Sequence, residues 1–262
     1  MTKDELKENT EFFYTLSSKD TMVTEALRSI ASLTTYVEPE KINVIITPPY
    51  NSEDVQKFRS LGVNVEKKEH YVDKKFRMNE YDELRSYGDK LWITELESEN
   101  AVLLDCDTLV LDDIWNVIEG DFDFKARPGS ANLVDWNELF ERHDEEYLDW
   151  MPNAGFLIFK NNTHKEIADD WKKYYLEIED RSYSEEGIVH REQYALALSV
   201  SDFNLEKMDD TEHLMEWSDI MISDSIVYHL GKSQDPYLNQ LKDFLKSTLN
   251  LSLSDLFRKR AF

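Results

Sequence analysis

Short apolar runs of strand length alternate along this chain with longer segments whose apolar residues recur at helical spacing. Runs at 11–16, 42–47 and 101–104 predict strands, and the segment 23–33 predicts the first long helix. Such alternation is typical of an α/β domain with a mainly parallel sheet, and it argues against a β-sandwich or a helix bundle. Because the run 101–104 is apolar at every position, we expect a strand buried on both faces of the sheet.

The same alternation continues to the end of the chain. Further strands are predicted at 63–67, 122–126, 155–159 and 225–228, and further helices at 52–60, 80–95, 165–178, 189–200 and 237–257. The sequence contains no internal repeat, no low-complexity tract and no linker rich in glycine, serine or proline. We therefore expect a single domain over 1–235, with 236–262 packed on it as a helical extension.

The charge of the chain limits its partners. Its 30 Lys and Arg residues against 54 Asp and Glu residues give a net charge of −24, which repels nucleic acid phosphates and anionic membrane surfaces. The single cysteine, Cys106, excludes a disulfide framework and a cysteine-based zinc site. Because of this charge we expect no nucleic acid partner. Because no apolar signal-peptide segment stands at the N-terminus, we expect a cytoplasmic protein.

The C-terminal segment leaves two kinds of interaction open. It combines an apolar stripe with a basic cluster, formed by Leu238, Leu241, Leu245 and Leu249 and by Arg258, Lys259 and Arg260. The stripe fits core packing or a homodimer surface, and together with the basic cluster it also fits peripheral membrane contact.

Two carboxylates follow the predicted buried strand directly. Asp105 and Asp107 come after the run 101–104, and ligands of open α/β sheets bind beyond the carboxyl ends of the strands. Converging carboxylates repel each other, and a hard divalent cation such as Mg²⁺ or Mn²⁺ relieves that repulsion. The alternative is a plain strand-to-helix turn with Asp as its cap. An Asp-x-Asp triplet alone decides nothing in so acidic a chain, because a second one, Asp121-Phe122-Asp123, follows a predicted turn.

One enzyme class with an apolar strand before Asp-x-Asp is the haloacid-dehalogenase-type phosphatases. The run Leu103-Leu104-Asp105-Cys106-Asp107-Thr108-Leu109 is similar to their motif, in which the first Asp is a nucleophile and the second an acid or base. In that family the motif normally lies near the N-terminus, and a later strand ends in paired acids. Here three strand–helix units precede the motif, and Asp209-Asp210 follows a segment that is not expected to form a strand. This class remains a less favoured alternative.

A second enzyme class matches more of the chain. The segment 100–115, NAVLLDCDTLVLDDIW, resembles the glycogenin and lipopolysaccharide galactosyltransferase family, glycosyltransferase family 8, and its GT-A relatives. Four further segments resemble family motifs and occur in the family's order: 85–92, 153–155, 190–194 and 227–232. The resemblance covers roughly residues 11 to 233. It implies a GT-A fold, a single Rossmann-like α/β domain with a mainly parallel central sheet flanked by helices.

The resemblance also implies a metal site and a donor site. Members of the family transfer a sugar from a nucleoside diphosphate, and the negative charge of the departing diphosphate needs neutralisation. Asp105, Asp107 and His229 are therefore expected to hold Mn²⁺ or Mg²⁺. The expected donor-binding residues are Thr15, Leu16 and Ser17 for the nucleoside, Asp105 for the ribose, and Arg85, Lys90, Gly231 and Lys232 for the phosphates or the sugar.

Three more residues are expected at the reacting sugar. The resemblance places Gln193 beneath the anomeric carbon, where it would stabilise an oxocarbenium-like state during same-face attack. Glu192 stands where the family usually has Asp and would orient a sugar hydroxyl, and Asn153 would bind hydroxyls of the donor or the acceptor. Gly155 would let the backbone approach a ligand closely. The signature His229-Leu230-Gly231-Lys232 is shorter than the family's, because it lacks spacer residues.

The sequence thus predicts a metal-dependent glycosyltransferase that moves a hexose from a UDP-sugar to a sugar or glycan acceptor with retention. The alternatives are a protein that binds nucleotide sugar or glycan without catalysis and, less favoured, the phosphatase. The aromatic residues Trp136, Tyr147 and Trp150 bracket the segment over the acceptor site, with core packing as their other interpretation. The other histidines are predicted at surface or capping positions: His70, His143, His164, His190 and His213.

Overall fold

The computed structural model describes residues 2–18, 20–73, 85–129, 136–178, 191–215 and 221–230. Their strands are β1 (Thr10–Ser17), β2 (Ile42–Thr47), β3 (Asn64–Lys67), β4 (Asn100–Leu104), β5 (Thr108–Val110), β6 (Phe124–Gly129), β7 (Met151–Phe159), β8 (Leu205–Lys207), β9 (His213–Met215) and β10 (Val227–His229). Seven of them form a central sheet in the order β3-β2-β1-β4-β7-β6-β8, and the other three form a small sheet in the order β5-β10-β9.

The central sheet is mainly parallel. Strand β1 pairs in parallel with β2 and β4, β2 with β3, and β6 with β8, whereas β7 runs antiparallel to both of its neighbours, β4 and β6. In the small sheet, β10 is antiparallel to β5 and parallel to β9. The predicted α/β class with a mainly parallel sheet is confirmed.

Helices flank the sheet. They are α1 (Lys3–Glu8), α2 (Asp20–Leu33), α3 (Ser52–Arg59), α4 (Trp115–Ile118), α5 (Trp136–His143), α6 (Thr163–Glu166), α7 (Ala168–Glu177) and α8 (Arg191–Val200), and 3₁₀ helices span Pro39–Lys41, Arg85–Glu95 and Ile222–Asp224. Along α2, residues Val23, Ala26, Ile30 and Leu33 recur at helical spacing and are buried. This apolar stripe packs α2 onto the sheet.

Strand β4 separates the two halves of the core. Ala101 and Leu103 contribute to one hydrophobic cluster, and Val102 and Leu104 contribute to the other. Successive side chains of a strand point to opposite faces, so this alternation means that the core covers both faces of the sheet at β4. The expected strand buried on both faces is confirmed, since each of these residues is at most 1% exposed.

Most predicted elements coincide with observed ones, and the segment 80–95 differs. Its described part is the 3₁₀ helix Arg85–Glu95 rather than an α-helix. Asp89 in this helix is fully buried and accepts hydrogen bonds from Thr47 Oγ1 (2.7 Å) and Tyr71 N–H (3.0 Å). These bonds tie the helix to the end of β2 and to the segment after β3, and such tertiary anchoring overrides local helical preference.

Five strands and α-helices have no counterpart in the prediction, namely α1, β5, α5, β8 and β9, and neither do the 3₁₀ helices Pro39–Lys41 and Ile222–Asp224. Each of these strands has three residues, too few for an alternating pattern to be visible. Helix α5 lies in a segment that is polar overall, and only Trp136, Leu139 and Phe140 form its buried face. Short elements such as these depend on their neighbours rather than on their own pattern.

The predicted extension 236–262, with its helices at 237–257 and its apolar stripe, lies outside the described residues. The boundary near residue 235 therefore stays a prediction, as do the homodimer surface and the membrane contact. Among the residues that are described, no helix has the length and apolarity needed to span a bilayer.

Candidate functional site

The loop after β4 carries both predicted metal-binding carboxylates, Asp105 and Asp107. The backbone N–H of Asp105 donates to the carbonyl oxygen of Gly155 (2.8 Å) and holds the start of the loop on β7. The side chains of Asp105 and Asp107 are 27% and 24% exposed. Cys106 between them is buried, and its Sγ lies 3.6 Å from the carbonyl oxygen of Thr15. The acid pair thus lies beside the carboxyl end of β1.

The small sheet brings His229 to the acid pair. Thr108 and His229 are register partners in the antiparallel pair β5–β10, and the N–H of Leu230 donates to the carbonyl oxygen of Asp107 (2.8 Å). Nε2 of His229 lies 3.1 Å from Oδ1 of Asp107. One side-chain atom each of Asp105, Asp107 and His229 lies within 4.8 Å of the others. The structure brings together the three residues predicted as metal ligands, which we call the ligand triad.

The ligand triad has the donor set of a divalent cation site. Carboxylate oxygens suit Mg²⁺ and Mn²⁺, and an imidazole nitrogen favours a transition metal ion over Mg²⁺. Two adjacent ligand atoms, each about 2.1 Å from one octahedral ion, lie about 3 Å apart. The 3.1 Å between Nε2 of His229 and Oδ1 of Asp107 is close to that separation. The triad therefore fits a divalent cation.

The two members of the Asp107–His229 pair stabilise each other's charged forms. Burial raises the pKa of Asp107, but the charge and the hydrogen bond of His229 outweigh it and hold that pKa below its usual value. Burial lowers the pKa of His229, and the charge and hydrogen bond of Asp107, with the charge of Asp105, raise it above its usual value. A cation that replaces the proton between these side chains would find both ligands already in contact.

The side chain of Lys90 contacts the carboxylate of Asp105 and does not line an open groove. Its side chain is buried, and its Nζ lies 2.8 Å from Oδ1 and 3.0 Å from Oδ2 of Asp105 and donates to the carbonyl oxygen of Ala154 (2.9 Å). Burial lowers the pKa of Lys90, but the charges of Asp105 and Glu192 raise it above its usual value. The lysine predicted at the donor phosphates therefore neutralises Asp105 in this structure.

The imidazole of His229 is held between a glycine and a second histidine. A Cβ atom on Gly155 would lie 2.2 Å from Cε1 and 2.5 Å from Nδ1 of His229, so only glycine fits there. The ring of His213 stacks on that of His229 with centroids 5.5 Å apart and planes 10° apart, and the ring of Phe156 meets His213 edge-on at 5.5 Å. The glycine predicted to admit a ligand thus makes room for His229.

The prediction of surface or capping positions is wrong for three of the other histidines. His213 and His164 are fully buried, and Nδ1 of His70 lies 2.9 Å from the buried carboxylate of Asp89. Burial, with the charges of His229 and Arg127, holds the pKa of His213 well below its usual value. A sequence shows the residue type but not the long-range pairing of β9 with β10 that buries His213. His190 lies outside the described residues.

The predicted sugar-side residues lie on two different elements. Glu192 and Gln193 belong to the first turn of α8 and are 1% and 5% exposed. Burial and the charge of Glu192 raise the pKa of Tyr87 to about 12, and Asp105 and Asp107 add smaller contributions, so Tyr87 lies within electrostatic range of Glu192 and of the acid pair. Oε1 of Gln193 is buried and has no hydrogen-bond partner among the described residues.

Asn153 serves β7 itself. Its Oδ1 accepts a hydrogen bond from the backbone N–H of Gly155 at 2.9 Å. The same oxygen would lie 2.9 Å from a Cβ on Gly155. In this structure the amide predicted to bind sugar hydroxyls fixes the backbone on which His229 packs.

The predicted nucleoside-binding residues Thr15, Leu16 and Ser17 are the last three residues of β1, and they differ in solvent exposure. Leu16 and Ser17 are 2% and 3% exposed, with Leu16 in the core and Ser17 Oγ near Met22 Sδ (3.8 Å). Thr15 is partly exposed as a residue, but its Oγ1 is buried and has no partner within the part of the chain that is described. The strand end therefore offers backbone atoms rather than the three side chains.

Three predicted donor contacts have no described side chain. Arg85 begins the 3₁₀ helix, but only its backbone is described, and Gly231 and Lys232 lie outside the described residues. Of the aromatic residues, Trp136 and Trp150 are 9% and 7% exposed and belong to the core, whereas Tyr147 is 52% exposed. Of these three residues, Tyr147 alone is exposed enough to meet a sugar.

The second acid pair weighs against a phosphatase site, although one premise about it is wrong. The segment before Asp209 and Asp210 does form a strand, β8, because it pairs with β6. However, β8 is separated from β4 by β7 and β6 in the sheet. Asp209 accepts from the N–H of Thr211 (2.8 Å), and Asp210 pairs with Arg127. Both acids therefore contact other residues beside the outermost strand β8, and two strands lie between β8 and β4, the strand that Asp105 follows.

Comparison with known proteins places the chain by its fold. No family model matches the sequence, and no curated protein sequence matches it. An active-site mutant of LgtC superposes with a TM-score of 0.62 at 11% identity, over 90% of this chain and 95% of that one. Galactosyltransferase LgtC in complex with donor and acceptor sugar analogs gives 0.61 at 13%, over 87% and 89%. The glycosyltransferase GlyE of Streptococcus pneumoniae TIGR4 gives 0.52 at 14%, over 86% of this chain and 56% of that one. The predicted GT-A fold is confirmed.

Proposed function

We propose that this chain is a glycosyltransferase that moves a sugar from a nucleotide-sugar donor to a carbohydrate acceptor with the help of a divalent cation. The observation that carries the proposal is the convergence of Asp105, Asp107 and His229 at the carboxyl edge of the sheet, within 4.8 Å of one another. Ligands of open α/β sheets bind at this edge. The similarity of fold to LgtC and GlyE supports the same class of reaction.

The chemistry of sugar transfer matches the charges at this edge. A bound Mn²⁺ would act as a Lewis acid toward the diphosphate leaving group. The carboxylates of Asp105 and Asp107 would hold the cation. The ammonium group of Lys90 offsets part of the negative charge of this acid pair by pairing with Asp105. In a chain with a net charge of −24, local positive charge is needed before an anionic donor can approach.

The donor would lie across the ends of β1 and β4. We propose UDP as its nucleotide and a hexose as its sugar, with the nucleoside at Thr15 and the diphosphate at the ligand triad. The contact between Cys106 and the carbonyl of Thr15 keeps these two places adjacent. The buried Oε1 of Gln193 is an oxygen that can stabilise positive charge on the anomeric carbon during a retaining transfer.

A donor screen tests the proposal. Full-length protein with Mn²⁺ is incubated with UDP-glucose, UDP-galactose, UDP-N-acetylglucosamine and UDP-glucuronic acid, and released UDP is measured. We expect one donor to be hydrolysed in preference to the others, because transferases commonly use water slowly when no acceptor is present, and we expect EDTA to abolish the release. Binding of a donor without UDP release, with or without simple acceptor sugars, would instead assign a nucleotide-sugar-binding protein.

A further inference from the structure

Three buried hydroxyl groups form a continuous chain behind the acid pair. The Oη of Tyr14 lies 2.9 Å from Oγ of Ser29, and Oγ of Ser29 lies 2.9 Å from Oγ1 of Thr108. Thr108 Oγ1 then donates to the carbonyl oxygen of Asp105 at 2.8 Å. All three hydroxyl residues are fully buried. The chain joins β1, α2 and β5 to the first residue of the acidic loop.

The direction of this chain is fixed by its last acceptor. A carbonyl oxygen can only accept, so Thr108 must donate its single hydroxyl hydrogen to Asp105. Thr108 therefore accepts from Ser29, and Ser29 in turn accepts from Tyr14. Burial raises the pKa of Tyr14 above its usual value, so this phenol keeps the proton that the chain requires. We call this directed set of bonds the hydroxyl chain.

Thr108 is where the hydroxyl chain meets the ligand triad. Its backbone N–H also donates to the carbonyl of Asp105 (3.2 Å), so its N–H and its hydroxyl both close the turn that carries the acids. The same residue is the register partner of His229 in the pair β5–β10. The backbone positions of Asp105, Asp107 and His229 are therefore coupled through one threonine.

We propose that Thr108, supported by Ser29 and Tyr14, is a positioning residue that sets the spacing of the ligand triad for a divalent cation. This inference rests on the proposed function. None of the three hydroxyls is a ligand, and each acts through the carbonyl of Asp105. Groups that orient metal ligands commonly change metal affinity by about 10- to 100-fold when they are removed.

The test is the Kd for Mn²⁺, measured on the full chain from the EPR signal of free Mn²⁺. Thr108→Val keeps the shape of the side chain but removes the hydroxyl, and we expect it to weaken binding by about 10-fold or more. Thr108→Ser restores the hydroxyl and is expected to bind nearly as the unchanged chain does. Tyr14→Phe, which is farther from the site, is expected to weaken binding by a smaller factor, and in the double variant it should add little to Thr108→Val.

Thr10→Val is the matched control. Thr10 is also fully buried in the central sheet and donates its hydroxyl to a carbonyl, that of Leu6 (2.6 Å), at the amino end of β1. We expect its loss to leave the Mn²⁺ affinity unchanged. If the unchanged chain binds Mn²⁺ and Thr108→Val binds it equally well, the positioning role is wrong while the metal site stands. If the unchanged chain binds no Mn²⁺, the proposed metal site is wrong, and the positioning role is wrong with it.

Discussion

Asp107→Asn is expected to lower Mn²⁺-dependent UDP release by about 100- to 1,000-fold, the effect of removing one preorganised electrostatic group from an active site. The amide has nearly the shape of the carboxylate and can still accept a hydrogen bond from His229, so the loop should keep its conformation. What it loses is the negative charge and one of the two carboxylate oxygens, so a divalent cation is held more weakly. The loss therefore falls on cation binding rather than on folding.

Steady-state UDP release with the preferred donor, measured across a Mn²⁺ series, checks this expectation. The control is Asp202→Asn, which removes an exposed carboxylate three residues before β8. Since β8 runs in the same direction as β4, Asp202 lies at the opposite edge of the sheet from the ligand triad. Turnover by Asp107→Asn within threefold of the control would contradict the role of Asp107.

Gly155→Ala is expected to displace His229 and to weaken Mn²⁺ binding by about 100-fold, the upper part of the range for groups that orient metal ligands. The added methyl group would lie 2.2 Å from Cε1 of His229. The ring cannot move away without losing its stacking on His213 or its contact with Asp107. Overpacking of this kind also destabilises the fold by about 1–3 kcal/mol.

Gly129→Ala separates the local effect from the general cost of adding a methyl group to a strand. Its Cβ would lie 3.3 Å from the mobile end of Met151, which can adjust. We expect Gly129→Ala to keep the Mn²⁺ affinity, whereas Gly155→Ala loses it at temperatures where both variants are folded by circular dichroism. Equal Mn²⁺ affinities in the two variants would show that His229 is not a ligand.

The sequence predicts the acidic side of the site because the signal there is local. A buried strand followed at once by Asp105 and Asp107 indicates both the fold class and the edge where ligands bind. Strand β2 matches its predicted bounds, 42–47, for the same reason, since an apolar run closed by Pro48-Pro49 needs no distant partner to be recognised.

The histidine side of the site depends on pairing over a long distance. Residues 108 and 229 become neighbours only when two three-residue strands, β5 and β10, pair. No local pattern in either strand indicates this pairing, and only the family resemblance predicts His229 as a ligand. The contacts of Lys90 with Asp105 and of His213 with His229 were not predicted, because both depend on which side chains the completed fold buries together.

The hydroxyl chain shows the same limit. Tyr14, Ser29 and Thr108 are ordinary residues of a strand, a helix and a short strand, and their spacing along the chain carries no signal. A threonine directly after an acidic triplet is visible in the sequence, but its hydrogen bond to Asp105 is not. Positioning residues of this kind are found from the structure.

The central claim is that the ligand triad holds a divalent cation that in turn holds a nucleotide. Isothermal titration of UDP into the full chain, once with Mn²⁺ and once with EDTA, tests it most directly. We expect UDP to bind with a Kd between about 1 µM and 1 mM, a usual range for enzyme substrates, when Mn²⁺ is present, and at least about 10-fold more weakly in EDTA. The absence of UDP binding at millimolar concentrations with Mn²⁺, or the same affinity in EDTA, would contradict it.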